Sequence, residues 1–340
     1  MNIVYLIGNG FDLSKNLPTE YKDFYDYYSS KSSEDSDIIK LKNSIDEDRE
    51  NWSDLEQKLG EYTENLDTEE ALITLHKDLI NNLKTYLKGV ENNYQCDESQ
   101  SDKIYKDLIA PETHFLHDDK EEIKSFKKNL NSKHWRINII TFNYTTVLET
   151  LLGYTNQVKS LGKGDVASEI VLYNIEHIHG DTTRGMALGV NDPSQFFNEK
   201  FREVRILKNK YIKSEQNTIG RRGHDAVCQR WIREANLLCI FGLSFGVTDL
   251  RWWQYIGERL KRKEIRLIIF YHNKNIDLSL LDEAELYEEE QNIKELFLNN
   301  TSLSDNEKQQ VRGIIFVCLN SDMFKIETDK FHYNREWFKK

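Results

Sequence analysis

No apolar run in this chain approaches the roughly 18 residues that a membrane-spanning helix needs, so none is expected. The opening passes into an apolar run at once, without a basic-plus-apolar leader. A signal peptide is therefore not expected, and a cytoplasmic protein is. Cysteine is scarce: Cys96, Cys228, Cys239 and Cys318 are scattered, with no CxxC pair. That spacing supports neither a zinc site nor a disulfide frame, and reduced, mostly buried thiols are expected. Only three prolines occur, one of them, Pro18, just after the first turn. There is no internal repeat and no low-complexity tract, which excludes a repeat architecture. Positive charge is also short. Lys+Arg of 46 against Asp+Glu of 57 gives a formal net charge of −11, which argues against a nucleic-acid surface covering the protein.

What is present is a long chain rich in core-forming residues. Its 340 residues are 39% hydrophobic and 11% aromatic, enough for one large α/β domain with insertions or for two domains. Apolar runs at Ile3–Ile7, Ile137–Phe142, Glu176–His179, Met186–Val190, Leu237–Phe241, Ile265–Tyr271 and Gly313–Leu319 read as buried strands. Several are continuous rather than alternating, which suits a mostly parallel sheet with helices on both faces. Between the first two lies a charged stretch with helical spacing. Trp52, Leu55, Leu59 and Tyr62 form one stripe, and Leu72, Leu75, Leu79 and Leu83 form another. Residues 1–30 and 131–340 are thus expected to form an α/β nucleotide-binding core. Residues 31–130 read as a helical insertion or subdomain, and 191–235 as a second helical insertion within the core.

Four short segments stand where predicted strands end, the place where open α/β sheets build their ligand crevice. The first is Gly8-Asn9-Gly10-Phe11-Asp12. A strand, a Gly-X-Gly turn and a helix commonly open a nucleotide site, because glycine permits positive φ and close backbone approach. The dinucleotide fingerprint wants a third glycine where Leu13 stands, so a plain strand-to-helix turn is an equal reading. The second is Thr141-Phe142-Asn143-Tyr144-Thr145, where Asn143 is either a crevice residue or a helix cap. The third is His177-Ile178-His179-Gly180-Asp181, whose two histidines alternate and would face one side. A metal would need a third ligand, and none has suitable spacing. The fourth is Gly242-Leu243-Ser244-Phe245-Gly246-Val247-Thr248-Asp249. It matches the GxSxG nucleophile elbow in form, but Asp249 is too close to complete a triad, and Asp277 and His332 have no supporting context.

Taken in order, these segments resemble the bacteriophage abortive infection AbiH family. The resemblance rests on LIGNGFDLSKNLPTEYKDF, WSDLE at Trp52–Glu56, ITFNYTTVLE, HIHGD, ALGVND at Ala187–Asp192 and FGLSFGVTD. It covers residues 3 to about 255 and implies a role in bacterial defence, in which infected cells stop supporting the phage. A second similarity, to the sirtuin-like NAD-consuming domains of other defence proteins, lies in the order Gly-x-Gly, Thr-x-Asn-Tyr, His-Gly, Gly-x-Ser. It implies a Rossmann-like, sirtuin-like sheet and NAD or a related nucleotide as substrate or ligand, with no further cofactor and no metal.

By that similarity Asn143 and His179 would be catalytic, the first placing ribose and water, the second acting as base. Gly8, Asn9, Gly10, Phe11, Asp12, Thr141, Tyr144, Gly180, Gly242, Ser244 and Asp249 would bind the nucleotide. Asp12 reads equally as a helix cap. Asn9, Phe11 and Thr145 depart from the sirtuin-like pattern, which leaves a mononucleotide or altered substrate open. The implied activity is that of an NAD glycohydrolase-like hydrolase; the alternative is a non-catalytic nucleotide-sensing or partner-binding module. A phage-derived trigger and a homo-oligomer remain open as partners, and no membrane is expected. A nuclease would need clustered carboxylates and a basic groove. Arg221-Arg222 with Lys208, Lys210 and Lys213 offers only a small basic patch, read as a solvated helix face.

Overall fold

Alternation along the first strand decides how the sheet is covered. In the computed structural model, which describes residues 1–95, 99–220 and 223–325, β1 is Asn2–Ile7. Ile3, Tyr5 and Ile7 feed one apolar cluster, and Val4 and Leu6 feed a second on the opposite face. Both faces are therefore buried, which is why the run reads as continuous rather than alternating.

The further strands are β2 (His134–Thr141), β3 (Lys159–Gly162), β4 (Glu169–His177), β5 (Gly180–Asp181), β6 (Gly185–Met186), β7 (Leu237–Phe241), β8 (Arg266–Tyr271) and β9 (Ile315–Leu319). Seven of the nine form one sheet in the order β3-β4-β2-β1-β7-β8-β9, and β5 and β6 make a small hairpin. Every neighbour in the large sheet is parallel except β3, which runs antiparallel to β4 at the edge. The chain is thus a mixed α/β protein built on a mostly parallel sheet. Ile7 pairs with Thr141 and Phe241, and Thr141 pairs with His177. Four strands therefore end in one row, and the four segments singled out from the sequence leave from that row.

Helices cover both faces. The long helix Glu69–Asn93 buries Leu72, Leu75, Leu79 and Leu83 in the cluster that holds Ile3 and Tyr5. Its start is fixed by Thr68, whose hydroxyl accepts from Ala71 N. Helices His224–Glu234, Leu250–Leu260 and Glu283–Asn299 cover the other face. Between β6 and β7 the described residues form a 3-10 turn, Pro193–Gln195, and four α-helices, Glu199–Arg202, Arg205–Tyr211, Lys213–Ile219 and His224–Glu234.

Several local expectations are corrected. β4 stops at His177, so His179 lies beyond the strand; Gly180, at φ 72°, turns the chain into the β5–β6 hairpin. The two histidines therefore do not share a strand face. The run Met186–Val190 is strand only at Met186. Leu188 is buried in irregular chain and Val190 forms an isolated parallel bridge to Ile212; Gly189 between them lies against the backbone of Tyr211, where a Cβ would sit 1.9 Å from its carbonyl oxygen. Gly313 lies in a 3-10 turn, and β9 begins at Ile315. Trp52 is buried as expected but sits in its own 3-10 turn, Asn51–Ser53. Asp54 then breaks the chain and caps a new helix, Leu55–Tyr62, by accepting from Glu56 N and Gln57 N. β3 carries no apolar run because it is a half-exposed edge strand. Among the described residues no helix is long and apolar enough to cross a membrane. Cys228 and Cys239 are buried free thiols and Cys318 is half-buried. Cys96, Arg221, Arg222 and His332 lie outside the described residues.

Candidate functional site

The two glycine turns at the strand ends lie back to back. Gly8 N donates to Phe241 O and Gly10 N to Gly242 O, both at 2.9 Å. A Cβ on Gly10 would stand 2.4 Å from Gly242 Cα, and one on Gly8 would meet Gly242 O at 2.6 Å. Gly242 has φ 67°, whereas Gly8 and Gly10 are not in the positive-φ region. The glycines of the first turn are therefore required by the second turn's backbone, not by an unusual φ. Their N–H groups are committed within the protein. Asn9 is spent on its own loop: Nδ2 donates to Thr19 O at 3.0 Å and Oδ1 accepts from Thr19 Oγ1 at 2.6 Å. Phe11 faces the core and packs edge-on against Phe324.

Asp12 points inward to the segment after β2. Its carboxylate accepts from Thr145 Oγ1 at 2.5 Å and from Asn143 Nδ2 at 3.2 Å. Asn143 is not a cap. The next helix, Val147–Leu152, starts after Thr146, whose N–H is held by Glu91. Nor is Asp12 a cap, since its side chain bridges rather than receiving the turn's own N–H groups. Thr141 Oγ1 accepts from Asn143 N at 3.1 Å and orients that residue. Asn143 Oδ1 is left buried with no hydrogen-bond partner among the described residues. Burial pushes Asp12 up to about 7, and Glu91 adds repulsion; the Thr145 and Asn143 hydrogen bonds offset only part of this. Beneath lies His177, with Nδ1 2.9 Å from Asn143 O and Nε2 2.5 Å from Glu149 Oε1. Burial opposes its charge, but the Glu149 carboxylate more than compensates and holds the imidazole above its ordinary range. That histidine is a structural prop.

His179 belongs to a different group. Its Nε2 lies 3.0 Å from Asp249 Oδ1, and its Nδ1 is buried without a partner. Lys213 Nζ lies 3.3 Å from the same Asp249 oxygen and 2.6 Å from Glu56 Oε2. Tyr144 closes the chain, its hydroxyl 3.0 Å from Glu56 Oε1 and 3.1 Å from Ala187 O. Burial penalises the Asp249 charge, yet Lys213 and His179 together hold that carboxyl well below its usual range. Glu56 is pushed up to about 7 by burial, with Lys213 pulling the other way and Asp249 adding to the rise. Burial and the Lys213 charge lower His179, despite Asp249. At neutral pH the ring is therefore uncharged beside an ionised carboxylate that only accepts. Nε2 carries the proton, and Nδ1 offers a bare lone pair. The rings of Phe142 and Tyr144 flank the imidazole at 5.6 and 6.4 Å. Tyr21 faces the same carboxylates; burial, with Glu56 and Asp54, holds its phenol well above the usual range.

The structure thus brings Asp12, Thr141, Asn143 and Thr145 into one group and Tyr144, His179 and Asp249 into another, on adjoining connections. Gly180 is buried at the turn after His179. Ser244 is exposed, and Asp277 is spent capping its own turn through Ser279, so neither supports a nucleophile elbow. Lys213 is a correction. Far from a solvated face, it is 3% exposed and sits between two carboxylates. Lys208, by contrast, is half-buried and pairs with exposed Glu203. Glu56 closes the WSDLE motif and, next to core Leu55, reads from sequence as a pocket-mouth, surface or salt-bridged position; the structure shows it buried and paired with Lys213. Neither position carries a local pattern that announces a buried ion pair. Among the described residues, no group of three or more His, Cys, Asp or Glu side chains is arranged to hold a metal.

No curated protein matches the chain. The model of the family described as "Bacteriophage abortive infection AbiH" matches residues 4–271, so the chain belongs to that family and to the abortive-infection defences that bacteria raise against phage.

Proposed function

We propose that this defence protein binds NAD or a related nucleotide at the ends of β1, β2, β4 and β7, in a Rossmann-like, sirtuin-like setting, and cleaves it. One observation carries the reading: among the described residues His179 Nδ1 is buried without a partner, while Asp249 holds Nε2. A base aimed in this way takes a proton from water and places the resulting positive charge 3.0 Å from a carboxylate. In cleavage of the nicotinamide–ribose bond, the water oxygen bonds to the ribose anomeric carbon as the carbon–nitrogen bond breaks. Nicotinamide leaves as the neutral base, and His179 Nδ1 takes the water's proton. Asn143 Oδ1, also buried and unpartnered, is the acceptor for a ribose hydroxyl or for that water. Asp249 steadies the charge that develops.

A second reading is favoured by the glycine turns. The N–H groups of Gly8 and Gly10, which a phosphate would use, already serve Phe241 O and Gly242 O. A module that senses a nucleotide or partner without consuming it fits that commitment. Incubating the purified chain with NAD and following free nicotinamide separates the two. Release supports cleavage; binding with NAD left intact supports sensing.

A further inference from the structure

Behind the Tyr144–Ala187 contact lies a cavity of about 350 Å³, between the helices Glu69–Asn93, Arg205–Tyr211 and Lys213–Ile219. Its lining includes His76, Lys77, Asn81, Asn209, Lys210 and Gln216, and no carboxylate among the described residues contributes. In a chain with net charge −11, a carboxylate-free pocket with two lysines runs against the average. Among the described residues, neither the Lys77 nor the Lys210 ammonium makes an ion pair or hydrogen bond. His76 is fixed and neutral. Its ring lies 4.1 Å from that of Tyr211 at a tilt of 37°, Nε2 lies 2.9 Å from Leu188 O, and burial lowers it to about 4. The carbonyl can only accept, so Nε2 carries the proton and Nδ1 is an acceptor.

We infer that this cavity is a ligand site, separate from the strand-end residues Asn143 and His179, for a phosphate-bearing small molecule of mononucleotide size. The unpaired lysines meet the phosphate, and the amides of Asn81, Asn209 and Gln216 with His76 Nδ1 meet a planar hydrogen-bonding group. The volume sits at the lower end of the roughly 300–1,000 Å³ typical of small-molecule sites. Ala187 lines this cavity and also accepts the Tyr144 hydroxyl of the other group. Ala187 N donates to His179 O at 2.7 Å, and Leu188 O receives both His76 and Gln216. A ligand here therefore bears on the segment that positions His179.

The test is calorimetric titration of the full chain with AMP, adenosine and inorganic phosphate. AMP is expected to bind, adenosine and phosphate each far more weakly. Lys77→Glu and Lys210→Glu are each expected to weaken AMP by about tenfold or more, with unchanged thermal midpoints. His179→Ala is expected to leave AMP affinity unchanged, so failure of the cleavage reading does not touch this one. No AMP binding, adenosine binding as tightly as AMP, or AMP affinity lost in His179→Ala but kept in Lys210→Glu would each overturn it. Should a lysine variant unfold, Lys77→Gln and Lys210→Gln replace it, and unchanged AMP affinity there overturns the proposal equally.

Discussion

Asp249 accepts from His179 Nε2 at 3.0 Å and from Lys213 at 3.3 Å on one oxygen, which makes a single carboxylate the hinge of the whole buried group. Removing its charge is expected to free the imidazole to change tautomer. Asp249→Asn should reduce any nucleotide turnover by about 10²–10⁴-fold while leaving nucleotide binding nearly intact. The check is separate determination of kcat and KM.

Lys213 is the only cation paired with Glu56 and Asp249 among the described residues. Lys213→Met leaves buried Glu56 and partly buried Asp249 without their shared cation and is expected to cost about 3 kcal/mol in urea unfolding. Adding Glu56→Gln should return part of that loss, and a double-mutant cycle measures how much.

Gly10→Ala tests the purpose of the first turn. The new Cβ would lie 2.4 Å from Gly242 Cα, a backbone atom that cannot swing aside. A stability loss of roughly 1–3 kcal/mol is expected in the absence of any ligand. Full stability combined with lost nucleotide binding would instead assign the glycine to phosphate.

Asp12 sets a pH dependence. Its carboxyl moves from an ordinary 3.8 to about 7 on folding, so the native state holds a proton that the unfolded chain releases. The stabilisation is fully present below about pH 4 and is lost as pH rises towards 7. Asp12→Asn should flatten stability against pH in that window by up to about 1.4 kcal/mol per unit. An unchanged slope in urea titrations from pH 4.5 to 7 would contradict the protonated Asp12.

The strands of the sheet centre were legible because burial on both faces turns them into unbroken apolar runs, as in Leu237–Phe241, where the sequence reading and β7 coincide. β3 was not, since an edge strand with alternate residues exposed has no such run. The segments carrying Asn143, His179 and Asp249 were legible from their position directly after a strand. Their grouping was not, because Lys213 and Glu56 reach the site from remote helices. Nothing in a lysine's neighbours within the chain tells whether it will be solvated or enclosed between carboxylates.

The central claim is that His179 Nδ1 acts on a nucleotide during defence. It is tested most directly by measuring NAD and related nucleotide pools in cells challenged with phage, expressing either wild type or His179→Ala. The pools are expected to fall with wild type and to hold with His179→Ala, with protection lost in the variant. Equal pools in the two strains while protection still differs would contradict it.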